Sequence, residues 1–259
     1  TDTIAFTNTS RTLGVNVDLN KNQSYGSPDS YRVISDGFGN AKYLDSIENV
    51  IGTDFDDTIF GNSDANTLIG GAGKDTLNVE TEGAIATVTA NISNIETINL
   101  KSGSTVTFDT TTYTGVETLN AKKGTSATLD AAATTDVNVS GIAGAVSVDG
   151  GKNVNVTVAD TGTNTTIGAT TGAAGTVTVT DAAQAGSAIA VDGGTDVTIT
   201  ASGNTGGAIG VGQTLANDLP TGAVTVTSTG SYTDSGNTTM GAITIDGGST
   251  VTVTQSAGI

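Results

Sequence analysis

The chain contains no cysteine, no histidine and no tryptophan, and only 4% of its 259 residues are aromatic. Without cysteine there are no disulfide bonds, so the fold depends on other sources of stability. With so few aromatic side chains, the interior has to be built from Val, Ile, Leu, Thr and Ala. Such side chains suit a thin core repeated along an axis better than a wide globular core. We therefore expect an elongated architecture.

Basic residues are also scarce. Nine Lys and Arg stand against 26 Asp and Glu, which gives a net charge of −17, and no Lys, Arg or Glu follows Lys152. A surface of this sign repels nucleic acid and other polyanions, and it repels itself unless cations neutralise it. The charge therefore argues against nucleic acid as a partner. It favours an environment with divalent cations or salt outside the cell, although an ordinary acidic soluble protein has the same charge.

Long hydrophobic runs are missing as well. No apolar run is long enough to span a membrane, and the first residues lack the basic region and apolar segment of a signal peptide. We expect no membrane insertion. Because the chain begins and ends in sequence typical of strands, we expect it to be a segment of a longer protein.

The residues that are abundant favour β-structure. Thr and Val recur throughout, there are 36 glycines, and almost no stretch of helix length lacks Gly, Asn or Asp. Branched side chains suit strands, while Gly, Asn and Asp supply tight turns. We expect strands and turns, with almost no helix.

A period of nine residues begins at residue 52 and covers 52–60, 61–69 and 70–78. The recurring positions are glycine at position one, Asp or Asn at position six and an aliphatic residue at position eight: Gly52, Gly61 and Gly70; Asp57, Asn66 and Asp75; Ile59, Leu68 and Leu77. With Gly71 and Gly73, the third nonamer matches the pattern G-G-x-G-x-D-x-U-x at every fixed position.

This pattern predicts calcium binding. Glycines allow left-handed turns that aim carbonyl groups inwards, the acidic residue adds an oxygen ligand, and the aliphatic residue enters the core. Each nonamer is half a coil, so residues two nonamers apart stack, and Asp57 should face Asp75 across one gap. Turn carbonyls would complete a calcium shell of roughly six to eight oxygens. On the opposite edge, Glu48 stacks over Asn66 and predicts a weaker site.

The candidate calcium ligands are the residues at the fixed positions and the carboxylates beside them: Asp57, Asp75, Asn66, Asp56, Asp54, Asp64, Gly52, Gly61, Gly70, Gly71 and Gly73. Asp54, Asp56 and Asp64 either bind the ion or only strengthen the local negative field. Without calcium these carboxylates repel one another, so we expect calcium binding to be coupled to folding of the segment.

The segment from Ser46 to Thr53, SIENVIGT, followed by Asp56-Asp57-Thr58-Ile59, resembles the usual start of an RTX repeat array. The resemblance implies a right-handed parallel β-roll, calcium in its turns and export by a type I secretion system. We divide the chain into a capping segment (1–42), an RTX nonapeptide calcium-binding β-roll (43–79) and Thr/Val/Gly-rich solenoid repeats (80–259). The middle nonamer lacks the acidic residue, since Asn66 takes its position.

Looser repeats follow residue 80. Residues 94–100 recur at 115–121, and this offset predicts the length of one coil. A longer unit recurs at 144, 187 and 241 with an Asp-Gly-Gly corner, and its spacings are at least double that offset, which predicts two coils per unit. The corner residues are Asp149, Asp192 and Asp246. We expect them to bond turn amides rather than calcium. We attribute the longer second spacing to an insertion around Thr205–Pro220, which should form a loop that contacts neighbouring molecules.

The expected fold is all-β, a right-handed parallel β-solenoid in which an RTX β-roll is followed by Thr/Gly-rich β-helix repeats. Immunoglobulin-like sandwiches are the alternative for residues 80–259, but the coil-length repeats and the missing core Trp favour a solenoid. Segments such as Ile-Glu-Thr-Ile-Asn-Leu (95–100) beside an RTX patch, with Thr/Val/Gly repeats after it, resemble surface-layer proteins of Gram-negative bacteria.

The resemblance implies a calcium-dependent structural protein that self-associates into a surface layer on the bacterial cell. Stacked threonine hydroxyls on alternating strand positions add cell-surface polysaccharide as a candidate partner. The alternative is a spacer or glycan-contacting segment of a large RTX adhesin. Parallel β-helices also include polysaccharide lyases and hydrolases, which need basic and aromatic groups around the substrate. Beyond Lys152 the chain offers one tyrosine, Tyr232, and no basic residue, so we expect no enzymatic activity.

Overall fold

The structure is a computed structural model of the chain. It describes residues 2–7, 10–19, 30–40, 42–45, 47–61, 66–85, 91–158, 162–215, 218–230 and 240–257. All regular structure in these residues is β-strand, which confirms the prediction of an all-β fold. Consistently, no helix in the described part of the chain has the length and apolar character needed to cross a bilayer.

The described residues form 24 strands, numbered here along the chain. Their bounds are β1 Asp2–Ala5, β2 Asn16–Asp18, β3 Ser30–Ser35, β4 Lys42–Asp45, β5 Ile47–Ile51, β6 Thr58–Gly61, β7 Thr67–Ile69, β8 Thr76–Thr81, β9 Asn91–Ser93, β10 Thr97–Ser102, β11 Thr105–Asp109, β12 Thr118–Lys123, β13 Ser126–Ala131, β14 Asp136–Val139, β15 Val146–Gly150, β16 Val154–Val158, β17 Thr165–Ile167, β18 Val177–Asp181, β19 Ile189–Val191, β20 Val197–Asn204, β21 Ile209–Val211, β22 Ala223–Gly230, β23 Ile243–Ile245 and β24 Thr250–Ala257.

These strands are arranged as a solenoid. One 13-stranded sheet, here the long sheet, has the order β24-β22-β20-β18-β16-β14-β12-β10-β8-β6-β2-β3-β4. The strands between its members form a four-stranded sheet, β1-β5-β7-β9, and a seven-stranded sheet, β11-β13-β15-β17-β19-β21-β23. Each coil therefore contributes one strand to the long sheet and one to a second sheet, and it stacks on the coil before it.

Parallel pairing decides between the two predicted folds. Every described pair from β5 onwards is parallel, while the antiparallel pairs are β2 with β3 and β3 with β4 at the amino-terminal edge. An immunoglobulin-like sandwich is built from antiparallel sheets, so that alternative is wrong for residues 80–259. The parallel β-solenoid is confirmed.

The core is a thin stack of aliphatic columns. In the long sheet, Ile59 pairs with Leu77, Leu77 with Ile98 and Ile98 with Leu119, and all four are fully buried. On the outer side of the same strands, Asn99 donates to Asn78 at 3.0 Å and accepts from Asn120 at 2.9 Å. Alternation along each strand therefore places aliphatic side chains inside and a hydrogen-bonded polar ladder outside.

Coil lengths agree with the predicted repeats. Thr97 pairs with Thr118, so the repeat of 94–100 at 115–121 is one coil. Val154, Val177 and Val197 stack in three successive coils, so the unit that begins at residue 144 contains two coils. The next two coils, from Val197 to Val224 and on to Val251, are both longer than the two before them. The extra length of the second unit is thus shared between both coils and is not confined to 205–220, where the sequence predicts it.

Two of the three Asp-Gly-Gly corners, those of Asp149 and Asp192, bind backbone amides, as expected, but those of the following coil. At the third corner, Asp246 accepts from the side-chain amide of Gln213 at 3.2 Å. Gly150 and Gly151 have φ of 70° and 85°, a left-handed pair that turns the chain sharply. Oδ1 of Asp149 accepts from the amides of Thr170 and Thr171 at 2.8 and 3.3 Å. Asp192 does the same for residues 214 and 215. These carboxylates therefore hold successive coils together.

Candidate metal centre

Stacked turns position the two acidic residues of the nonamer array (residues 52–78). Thr58 pairs with Thr76, so the turns that precede these strands lie one above the other in consecutive coils. Burial of the aliphatic residue at position eight of each nonamer decides which residues of that coil face the core. Asp57 and Asp75 are both 1% exposed. The predicted stacking of Asp57 on Asp75 is therefore present in the structure.

The Asp57 carboxylate is fully engaged by its own surroundings. Oδ1 accepts from the amide of Val15 at 2.6 Å and from the hydroxyl of Thr53 at 2.9 Å. Oδ2 accepts from the amide of Thr53 at 2.6 Å. Thr53 therefore supplies two of the three hydrogen bonds that this carboxylate receives.

The Asp75 carboxylate is only half engaged. Oδ1 accepts from the amide of Asp57 at 2.7 Å, but Oδ2 is buried and has no hydrogen-bond partner. Burial raises the pKa of Asp75 to about 7; the Asp57 amide opposes this shift, and the negative charges of Asp57, Glu96 and Asp56 add to it. A buried carboxylate oxygen without a donor is costly, and a cation removes that cost.

Two glycines of the array lie against oxygen atoms. A methyl group placed at Gly70 would collide with the carbonyl oxygen of Asn94 and with Oδ2 of Asp75. A methyl group at Gly52 would collide with the carbonyl oxygen of Gly70 and with Oδ2 of Asp57. The missing side chains thus let carbonyl and carboxylate oxygens approach the same small volume. These hard oxygen donors are the ligands that calcium prefers, so the residues present fit this ion.

The remaining glycines of the pattern have different roles. Gly71 and Gly73 have φ of 127° and 111°, which allows the turn that the pattern predicts. Gly61 ends β6, and a methyl group there would meet the side chains of Leu77 and Leu68 at 3.4 and 3.5 Å. Gly61 therefore faces the core and lies away from the oxygens that surround Gly52 and Gly70.

On the opposite edge, Asn66 serves as a hydrogen-bond donor. It is 4% exposed, and its amide nitrogen donates to the carbonyl oxygen of Glu48 at 2.9 Å. The carboxylate of Glu48 accepts from the amide of Asp2 at 2.6 Å. The predicted stack of Glu48 over Asn66 is present, but these contacts join coils and leave the acidic side chain turned towards Asp2.

The additional carboxylates lie at the surface. Asp54 and Asp56 are exposed, and Oδ1 of Asp56 accepts from the amide of Lys74 at 2.8 Å. Asp64 lies outside the described residues. Within the part of the chain that the structure describes, no three acidic side chains converge into a ready-made cation site. An ion at Asp75 therefore depends on turn carbonyls, as the nonamer pattern predicts.

Sequence reasoning missed Thr53, Asn94 and Glu96. The amide of Asp75 donates to Oε2 of Glu96 at 2.7 Å, and the amides of Glu96 and Thr97 donate back to the carbonyl oxygen of Asp75. For Glu96, a signal was present in the sequence. The number of residues from Asp75 to Glu96 equals the length of one coil of the later repeats, which places Glu96 next to Asp75 in the following coil. For Thr53, the signal is that it replaces the second glycine of the pattern.

A cavity of about 310 Å³ adjoins the first turn of the array and is lined in part by Phe6, Arg11, Asp54 and Phe55. The guanidinium group of Arg11 lies between the rings of Phe6 and Phe38, 5.0 and 4.9 Å from their centroids. This stacking joins the amino-terminal strand to the loop that follows β3.

Comparison with known families agrees with this geometry. Residues 45–80 match the model of the RTX calcium-binding nonapeptide repeat (4 copies). None of the curated proteins matches the chain. The matched segment contains the turns of Asp57 and Asp75, and its repeats bind calcium in the family that the model describes. The chain therefore carries RTX-type calcium-binding repeats within a parallel β-solenoid.

Proposed function

We propose that this protein is a calcium-dependent extracellular structural protein that self-associates into a surface layer or a similar array on a bacterial cell. The observation that carries the proposal is the buried, half-engaged carboxylate of Asp75, in the RTX-type turn that leads into β8 of the 13-stranded sheet. Calcium at this turn stabilises the coils on either side of it, and an ordered solenoid presents fixed surfaces for assembly.

Calcium affinity links folding to export. Extracellular calcium modules bind with dissociation constants on the order of 10⁻⁴ to 10⁻³ M, far above cytosolic calcium concentrations. The repeats then stay unfolded inside the cell and fold after passage through a type I secretion system. The absence of cysteine supports this route, because no disulfide forms before or during export.

The charge distribution supports assembly outside the cell and argues against catalysis. With a net charge of −17, copies of the chain repel one another unless divalent cations lie between them. Beyond Lys152 the chain has no basic residue to bind an acidic sugar or to act as a general base. We accordingly propose no enzymatic activity.

A spacer or glycan-contacting segment of a large RTX adhesin is the second candidate. It is favoured by a column of threonines on the outer side of the long sheet, where Thr178, Thr198, Thr225 and Thr252 pair in register. Their hydroxyl groups follow one another at the strand spacing of about 4.8 Å and offer repeated hydrogen bonds to a polysaccharide.

Assembly separates the two candidates. The purified chain is titrated with calcium from chelator excess to millimolar concentrations and followed by far-UV circular dichroism, light scattering and negative-stain electron microscopy, with magnesium as control. We expect β-structure and ordered sheets or filaments to appear with calcium and not with magnesium. A chain that folds with calcium but stays monomeric contradicts the surface layer and supports the adhesin spacer.

A further inference from the structure

The two acidic turns of the array differ in one residue that decides which carboxylate is open. Thr53, at position two of the first nonamer, donates through its amide and its hydroxyl to Asp57. The equivalent residue in the third nonamer is Gly71, which has a left-handed φ of 127° and no hydroxyl. No donor replaces the Thr53 amide at Oδ2 of Asp75, which has no partner, although Asp75 is only 1% exposed. The structure thus contains one closed carboxylate and one open carboxylate in equivalent turns.

Two residues of the following coil bring oxygen atoms to the turn of the open carboxylate. Asn94 has a left-handed φ of 51°, a conformation that Asn tolerates, and its carbonyl oxygen and Oδ2 of Asp75 both lie against Gly70. The carboxylate of Glu96 lies at the same turn, where its Oε2 accepts from the backbone amide of Asp75 at 2.7 Å. Asn94 and Glu96 are outside residues 45–80, which match the nonapeptide model.

We propose that Asn94 and Glu96 complete a calcium site on the turn of Asp75, so that one ion fastens the nonamer array to the solenoid that follows it. The ligands would be the open carboxylate oxygen of Asp75, the carbonyl oxygen of Asn94 and the carboxylate of Glu96. This inference rests on the calcium binding of the proposed function, but it is independent of assembly. A mixed set of carbonyl and carboxylate oxygens fits calcium, whereas magnesium demands a stricter octahedral shell.

The site has a structural consequence at the junction. The amides of Glu96 and Thr97 donate to the carbonyl oxygen of Asp75 at 3.2 and 3.1 Å, and the amide of Gly70 donates to Ser93 at 3.1 Å. These hydrogen bonds join the last turn of the array to the next coil, where the shorter coil of the nonamers gives way to the longer coil of the later repeats. Calcium would therefore stabilise the point at which the two repeat types meet.

Glu96→Gln tests the site. Gln keeps an oxygen that accepts from the amide of Asp75 but removes the negative charge, so the fold is retained while the calcium ligand is weakened. Glu117→Gln is the matched control: Glu117 lies one coil further in the same column and forms an exposed ion pair with Lys74 at 3.2 Å. Calcium affinity and stoichiometry are measured by isothermal titration calorimetry on the full chain.

We expect Glu96→Gln to weaken one calcium site by about tenfold to 100-fold, the range seen when carboxylates around a metal are removed, with no loss in Glu117→Gln. Amide hydrogen exchange of residues 91–102 should slow with calcium in the wild type and in Glu117→Gln, and much less in Glu96→Gln. Unchanged affinity and unchanged exchange in Glu96→Gln overturn the site. Failure of assembly in a chain that still shows these calcium effects contradicts only the proposed function.

Discussion

The backbone amide of Asp57 donates a hydrogen bond of 2.7 Å to the carboxylate of Asp75, its counterpart one coil further on. The amide of Val15 makes the same bond to Asp57, and the amide of Asp75 makes it to Glu96. A column of carboxylates thus runs along one edge of the solenoid, each accepting from the coil before it. Because like charges adjoin in this column, we expect cations to stabilise it.

Calcium should stabilise the folded chain. With a dissociation constant of about 1 mM, about 10 mM calcium adds about 1.4 kcal/mol to the free energy of unfolding for each site. Thermal unfolding followed by circular dichroism, in calcium and in chelator, measures the shift in midpoint. Magnesium at the same concentration should give a smaller shift, and equal shifts for both ions would point to general screening of charge.

The effect of Asp75→Asn on stability should have opposite signs with and without calcium. Asn retains the oxygen that accepts from the amide of Asp57, and its new amide group replaces Oδ2 next to the carbonyl oxygen of Asn94. Without calcium, we expect the variant to be at least as stable as the wild type, since a buried unpartnered oxygen is removed, a gain of about 1 kcal/mol. With calcium, we expect it to be the less stable of the two. Urea unfolding of both proteins in calcium and in chelator checks this, with the exposed, distant Asp196→Asn as control.

Thr53→Gly should open the first turn. The change restores the second glycine of the nonamer pattern and removes the hydroxyl donor to Asp57. We expect stability in chelator to fall by about 1 kcal/mol or more, since a hydrogen bond is lost and a flexible glycine is gained. Calcium stoichiometry should rise, because a glycine at this position can take the left-handed φ of Gly71 and turn its amide away from Oδ2 of Asp57. Thr53→Val removes the hydroxyl but does not take a left-handed φ, so it should lose stability without gaining a calcium site. Unchanged calcium binding in Thr53→Gly would contradict the role given to Thr53.

Asp130 should make stability depend on pH. It pairs in register with Asp109 and Asp149, and burial, followed by those two negative charges, raises the pKa of Asp130 above its ordinary value of 3.8. The native state therefore binds this proton more tightly than the unfolded chain, and the contribution of Asp130 to stability falls as pH rises from its ordinary pKa through the native pKa. Asp130→Asn removes this loss, so the variant should gain on the wild type as pH increases. Urea unfolding across the acidic range at constant calcium measures the difference, and a difference that does not change with pH would refute the assignment.

The asparagine ladder should contribute to the stability of the long sheet. Asn99 lies at its centre, bonded to Asn78 and Asn120. Asn99→Ala removes the hydrogen bonds to both neighbours, although Asn120 still accepts from Asn138, and we expect a loss of about 1 to 3 kcal/mol in the free energy of unfolding. Asn155→Ala, at an exposed position further along the same column, is the control and should cost less. Equal losses would show that the ladder bonds contribute little.

Much of the array follows from spacing alone. Residues two nonamers apart have to share a strand register, so the period places Ile59 above Leu77 and Asp57 above Asp75 without any knowledge of the rest of the chain. The parallel pairing of the later repeats follows in the same way from the offset between 94–100 and 115–121. The position of the extra residues in the second unit does not follow from spacing. Loop residues have no periodic burial, and the extra length is divided between two coils.

The sequence by itself determined the all-β solenoid, the coil length, the buried aliphatic columns and the acidic position of each calcium turn, because these depend on local turn chemistry and on alternation along strands. Only the tertiary structure decided which carboxylate is open. That outcome depends on contacts within the turn and between coils: Thr53 and Val15 donate to both oxygens of Asp57, while Oδ2 of Asp75 has no donor. It also brought Glu96 to the site, since the change of coil length after the array decides which residue of the next coil meets Asp75.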